Sequence, residues 1–321
     1  MKTDSRIYLA GHSGLLGSAI LRALESGGYQ NVIVHSSRDL DLRDAHATAS
    51  FFQETRPEYV FFAAGTVGGI MANVKYPADF IFDNLSMITN VVQSSYVNHV
   101  KKLLYFASSC VYPRDCPQPI KEEYLLTGAL EETNRPYAIA KIAGLELCFS
   151  FNRQHNTDNI VLMPTNLFGL RDNYDLENSH LVAALIRKFH DAKSRSEKKV
   201  QLWGTGNPRR EILSSDSVAD AAIYFMKNYS GSEIVNVGCG VDFTIREIAL
   251  MIQNVVGYDG EVLFDSSKPD GVMKKQLDVS RANRFGWVAK NDLLAELKIA
   301  YQDFAANYRT YCGPATGSSK P

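Results

Sequence analysis

The chain has 321 residues, enough for one large domain or two closely joined ones with a sizeable core. Its 34 basic and 35 acidic side chains nearly cancel, so no net field draws it to nucleic acid or to a membrane surface. No stretch approaches the roughly 20 apolar residues that cross a bilayer, and a membrane partner is not expected.

The N-terminus runs directly into an apolar strand with no signal-peptide pattern. Short apolar runs then alternate with helical stretches. Residues 7–10, 32–35, 59–64, 103–107 and 160–163 are predicted as buried parallel strands. Between them, 16–26, 45–54, 79–97 and 137–154 are predicted as helices, a βαβ rhythm that makes a Rossmann-type, doubly wound α/β sheet. After Pro164 the rhythm breaks. A polar segment leads to a helix over 180–192, a strand at 200–203, a glycine turn, a helix over 216–228 and a strand at 234–237. A helix over 245–256, a strand at 262–264 and a helix over 292–308 complete the chain.

This order predicts a cofactor domain over 1–165, with 212–238 returning to it. A smaller α/β substrate domain is predicted from 166–211 and 239–310, with 311–321 a loose tail. The five cysteines are scattered, odd in number and without a CxxC pair. That pattern suits free thiols in a reducing cytoplasm, and neither a disulfide framework nor a metal site is expected.

Three groups of residues carry chemistry. Gly11, Ser13, Gly14, Leu15 and Gly17 lie in a GxxGxxG turn between the first strand and the first helix, where backbone N–H groups can approach a pyrophosphate. At the end of the second strand, Ser36, Ser37 and Arg38 stand where an acidic residue would grip the ribose of NAD; hydroxyls and a guanidinium suit the 2′-phosphate of NADP. Asp39 and Asp41 nearby leave the alternative of a solvated turn open. Tyr137 and Lys141 lie four residues apart on one helical face, so the ammonium is expected to lower the phenol pKa and prepare a proton donor. Ser108, after the fourth strand, can hydrogen-bond a substrate carbonyl.

Glycine turn, serine and YxxxK together resemble the extended short-chain dehydrogenase/reductase family. Finer matches are Ala64–Gly69, Ser108–Pro113, Met163–Gly169, Trp203–Glu211, and Lys268–Gly271 with the Lys-Lys that follows. They make the chain similar, over about residues 5–310, to the GDP-L-fucose synthase family of epimerase-reductases. The resemblance implies inversion of C3 and C5 of a GDP-linked 4-keto-6-deoxy-D-mannose, followed by NADPH-dependent reduction at C4. Its acid–base pair carries over to Cys110 and His180, and its cofactor contacts extend to Pro164 and Asn166. Asn166, His180, Arg187, Lys188, Trp203, Arg210, Lys268 and Asp270 fall on the substrate side, and a homodimer through the helices at 79–97 and 137–154 is implied.

Leu170-Arg171 and Ser214 depart from the family pattern, and are expected to bear on which sugar is used. A related enzyme on a GDP-6-deoxy-4-keto-heptose, or a simple C4 reductase, would carry almost the same motifs. A 4,6-dehydratase would need an acidic pair after the serine, where Cys110 and Val111 stand. A non-catalytic sensor of the NADP redox state would need no Ser108, Tyr137 and Lys141.

Overall fold

The computed structural model describes residues 1–176, 178–268, 270–290 and 292–313. In the first half, β1 (Arg6–Ala10), α1 (Leu15–Ser26), β2 (Asn31–Ile33), α2 (Ala45–Thr55) and β3 (Tyr59–Phe62) alternate. Two helices in succession, α3 (Ile70–Lys75) and α4 (Pro77–Val97), precede β4 (Lys102–Phe106), α5 (Arg135–His155) and β5 (Asn159–Pro164). The second half runs β6 (Asn166–Phe168), α6 (Leu181–Ser194), β7 (Lys199–Trp203), β8 (Arg209–Arg210), β9 (Ile212–Ser214), α7 (Ser215–Asn228) and β10 (Val235–Val237). Then come β11 (Phe243–Thr244), α8 (Ile245–Val256), β12 (Glu261–Asp265), β13 (Lys274–Lys275), α9 (Ser280–Arg284), α10 (Leu293–Ala306) and α11 (Tyr308–Cys312).

The doubly wound parallel sheet has the order β2-β1-β3-β4-β5-β10. The two-residue pleat sends Ile7 and Leu9 to one face and Tyr8 and Ala10 to the other. Both faces are covered, which is why these strands read as continuous apolar runs. On one face, Ile20 and Leu24 of α1 and Val218 and Phe225 of α7 pack with Leu9, Phe61 and Leu104. On the other, Phe52 of α2, Ile88 and Val91 of α4 and Leu145 of α5 pack with Tyr8, Phe62 and Tyr105. A third core joins Ile186 and Phe189 of α6, Ile248 and Ile252 of α8, and Leu297 and Phe304 of α10.

The chain leaves β1 outward to β2 and then crosses to β3 on the other side, so the loops after β1 and β3 diverge. This switch point opens a crevice at the carboxyl ends of the strands. Gly11 makes the crossing possible. Its φ is +82°, and a Cβ there would lie 2.7 Å from the Ala64 nitrogen. Gly17 is equally constrained, since its Cβ would fall 1.9 Å from the Gly11 carbonyl oxygen.

Buried Glu211 joins the smaller sheet β11-β8-β13 to the large one. Its carboxylate accepts from the Gly240 N–H beyond β10 and from the Leu277 N–H beyond β13, both at 2.7 Å. Its carbonyl accepts from Asn166 Nδ2 at 2.8 Å and Thr165 Oγ1 at 3.2 Å. Arg210 and Lys275, paired in register across β8 and β13, are thereby fixed against the end of β5.

The structure differs from the sequence expectation in three respects. The sequence reading contains neither the helices α3 and α9 nor the strands β6, β8, β9, β11 and β13, because six residues or fewer carry no readable period. The helix expected over 292–308 ends at Ala306, and Asn307 caps a further short helix, α11. Tyr311, expected in the loose tail, therefore lies in a helix and donates from its hydroxyl to Asp303 at 2.8 Å. The rest of that tail, 314–321, lies outside the described residues.

Candidate active site

A single cleft of about 770 Å³ runs from the glycine turn to the end of β5. Gly11, Ser13, Gly14, Leu15 and Gly17 line its first part. Gly14 caps α1 without a side-chain hydrogen bond, which leaves the first-turn N–H groups free for an anion. His12 Nδ1 is buried beside this turn without a hydrogen-bond partner among the described residues. An uncapped helix start, a glycine cradle and an orphaned polar atom fit a dinucleotide pyrophosphate.

Around the adenosine end, His35, Ser37, Asp41, Leu42 and Arg43 line the cleft. Ser36 does not line it and donates from its hydroxyl to Asp39 at 2.6 Å. Arg38 is exposed and does not line the cleft. Arg43, which the motif reading did not single out, grips both oxygens of Asp41 and reaches Asp83 at 3.1 Å. Its donors are thus engaged with carboxylates, whereas Arg38 pairs with no carboxylate among the described residues.

The reacting end is assembled from β4 and α5. Ser108 stands just beyond β4, close enough to Tyr137 and Cys110 for its hydroxyl to pull the pKa of both downward. Pro136 starts α5 at a position where a missing N–H costs nothing, and Tyr137 follows in the first turn. Lys141, one turn on, is buried; its Nζ donates to the Phe106 carbonyl at 3.0 Å and lies 5.7 Å from the Tyr137 ring centre.

Burial decides the charge states here. The Tyr137 phenol is pushed up, not down, and Lys141 is lowered to about 8. The expectation that Lys141 depresses the phenol is not met: both groups lose hydration, and at Lys141 the Cys110 thiol offsets only part of that loss. A phenol that keeps its proton is still the form that a reduction requires.

Cys110 and His180 line the same cleft, with Lys275 and Arg210 beside them. His180 caps α6 and remains open to solvent in the cleft, while the walls around it still desolvate its ring. Desolvation raises the Cys110 thiol, and the Lys275 ammonium, then Ser108, pull it back. The His180 imidazole is held low by desolvation first and Lys275 second. One cation thus favours thiolate at Cys110 and neutral imidazole at His180. Replacing Lys275 with methionine should shift alkylation of Cys110 by iodoacetamide to higher pH, read by peptide mapping. An unchanged profile would mean that the ammonium does not act on the thiol.

Pro164 and Asn166 also line the cleft. Arg210 donates from Nη1 to the carbonyls of Arg209 at 2.8 Å and Val272 at 2.6 Å, and pairs with no carboxylate among the described residues. Five substrate-side residues named from the motifs lie outside the lining. Trp203 is 72% exposed with Lys268 Nζ 5.8 Å from its ring centre, and Asp270 accepts from the Thr205 N–H and hydroxyl, so these three form a rim cluster. Arg187 donates to the Tyr174 carbonyl at 2.7 Å and faces Asp191, a structural engagement inside α6. Lys188 beside it, roughly two turns from His180, is also absent from the cleft wall.

The departures at Leu170-Arg171 and Ser214 are absent from that wall as well. Ser214 caps α7 and donates to Glu296 at 2.6 Å, which ties the start of α7 to α10. Besides Arg43, the motif reading missed Asn73, Asn134 and Thr66 in the lining. Lys275 had one signal, its place in the Lys-Lys after Gly271.

Sheet, glycine turn and serine–tyrosine–lysine site define an extended short-chain reductase. The chain belongs to the NAD dependent epimerase/dehydratase family, whose model matches residues 7–238. Within that family it is similar to GDP-L-fucose synthase of Escherichia coli (strain K12), 45% identical over 97% of this chain and 100% of the relative. The crystal structure of a GDP-6-OMe-4-keto-L-xylo-heptose reductase from C. jejuni superposes with a TM-score of 0.92 at 38% identity, covering 96% of this chain and 99% of that one. A GDP-L-fucose synthetase from Naegleria fowleri bound to NADP gives 0.90 at 28%, covering 97% of both chains.

Proposed function

We propose that this chain converts GDP-4-keto-6-deoxy-D-mannose to GDP-L-fucose, inverting C3 and C5 and then reducing C4. The observation that carries this reading is the meeting of Cys110 and His180 with Ser108, Tyr137 and Lys141 in one cleft. The first pair is what inversion requires in addition to the reducing residues. Protons beside a ketone are acidic, and one thiol with one imidazole can exchange them from two sides near neutral pH. Ser108 and Tyr137 bind the ketone oxygen and hold the charge that develops on it. NADPH, when bound, supplies the hydride. Tyr137 then delivers its proton to that oxygen, and Lys141 holds the residue in place and offsets the charge left behind.

Arg210 and Lys275 neutralise the diphosphate, with Trp203 and Lys268 offering a surface for guanine at the rim. The half of the chain built on the third core, 166–211 and 239–310, is assigned to the GDP-sugar, and 1–165 with 212–238 to the cofactor. We assign the 2′-phosphate to Ser36, Ser37 and Arg38. Arg38→Ala should weaken NADPH binding about ten- to a hundredfold and leave NADH nearly unchanged, measured by fluorescence titration. Equal losses for both cofactors would remove Arg38 from the phosphate site.

A cytoplasmic homodimer completes the proposal. Helices α4 and α5 pack side by side and expose Phe82, Val97 and Ile139, an apolar face that a second copy would cover. Light scattering reads this directly. The function itself is tested by supplying the GDP-linked ketone with NADPH or NADH in D₂O and identifying the product by NMR. Deuterium at C3 and C5 of a GDP-L-fucose product is expected. Reduction at C4 with neither carbon labelled would favour the second reading, a simple C4 reductase, which the likeness to the C. jejuni heptose enzyme supports.

A further inference from the structure

Asn73 stands in the wall of the catalytic cleft and takes no part in the steps above. Its Nδ2 donates to the carbonyls of Gly68 at 2.9 Å and Gly69 at 3.0 Å. Those two acceptors fix the amide's orientation, because a flipped amide would press its oxygen against both. The remaining Oδ1 is buried, in a residue only 6% exposed, and has no hydrogen-bond partner among the described residues. Buried carbonyl oxygens are rarely left without a donor, since each forfeits its hydration for nothing.

The position of this acceptor says what could satisfy it. Helix α3 packs against the turn Glu132–Asn134, which leads directly into α5 and Tyr137. Asn134 lines the cleft too, and its Oδ1 is likewise buried and unpartnered. Phe80, edge-on to Tyr137 at 6.1 Å between ring centres, closes the same wall. The orphaned oxygens therefore sit on the wall that leads to Tyr137, at the reacting end. In a GDP-linked 4-keto-6-deoxy sugar the diphosphate and the ketone only accept, and the C6 methyl does neither. Only the C2 and C3 hydroxyls can donate there.

We propose that Asn73 Oδ1 accepts a hydrogen bond from a ring hydroxyl of the bound sugar, at C2 or C3, and so selects fully hydroxylated sugars over their deoxy analogues. Asn134 stands beside it as a second acceptor. This rests on the GDP-sugar reading above.

The test compares kcat/KM of the parent and of Asn73→Ala on GDP-4-keto-6-deoxy-D-mannose and on its 2-deoxy and 3-deoxy analogues. The parent should lose about tenfold or more on one of the analogues, the scale of a hydrogen bond of ordinary strength. Asn73→Ala should lose a similar factor on the full substrate and then discriminate less than about twofold against that analogue, since the contact is already gone. Equal penalties in parent and variant for both analogues would overturn the proposal. So would a loss confined to NADPH binding, which would make the cofactor's carboxamide the donor. Asn73→Ser, whose hydroxyl can still donate to the Gly69 carbonyl, provides the same comparison if the alanine variant loses its loop. Failure of the GDP-sugar reading is separately visible as a parent enzyme that does not turn over the full substrate.

Discussion

Tyr137→Phe should slow reduction of the ketone about a hundredfold or more, measured as NADPH oxidation under single-turnover conditions. The variant keeps the ring, so its edge-on contact with Phe80 and the packing of α5 on the sheet survive. NADPH affinity should stay near the parent value for the same reason. What disappears is one proton, held on a phenol that burial keeps protonated, at the point where the alkoxide forms. Ser108 still contacts the substrate oxygen, so enolisation at C3 and C5 should persist in part, visible as solvent deuterium in recovered ketone. Normal reduction by Tyr137→Phe would mean that another group delivers the proton.

Replacing either Cys110 or His180 should separate the two activities in the opposite sense. Cys110→Ser exchanges a thiol that Lys275 draws toward thiolate for a hydroxyl that stays protonated, and His180→Gln removes the titrating ring altogether. Each should cut deuterium incorporation at its carbon about a hundredfold or more. Hydride transfer to the un-inverted ketone should continue slowly, because Ser108, Tyr137 and Lys141 remain, and give a sugar of the wrong configuration. Both substitutions lie in the cleft wall and leave the α1 turn untouched, so NADPH binding serves as the control for folding. Parent-rate labelling at both carbons in either variant would end that residue's assignment.

The pH response of the pair has a stated direction. His180 is held below the ordinary imidazole value, so its neutral form should persist to lower pH than in a free histidine. Cys110 is held above the ordinary thiol value, so its thiolate should grow in only at higher pH than usual. Exchange limited by the thiolate should therefore rise toward alkaline pH.

The amino-acid sequence by itself determined the large sheet and the chemistry at its edge. Runs such as Tyr59–Phe62 and residues 103–106 of β4 are legible because a strand covered on both faces is apolar at nearly every position. The glycine turn is legible because Gly11 and Gly17 each occupy a place where a Cβ would strike backbone, so no other residue fits. Tyr137 and Lys141 are legible because one helical turn brings them together without help from the rest of the fold. The contacts that only the tertiary structure decided are those between segments remote in sequence. Lys275 reaches the Cys110 side of the cleft through the pairing of β13 with β8 and the clamp of Glu211, neither of which has a local pattern. Asn73 lies in a six-residue helix too short to leave a period, and only the carbonyls of Gly68 and Gly69 reveal which of its amide atoms is left over. Charge states followed the same division. The spacing of Tyr137 and Lys141 promised a depressed phenol, but the sign was set by how much water the folded walls remove from both groups, a quantity that no short stretch of sequence contains.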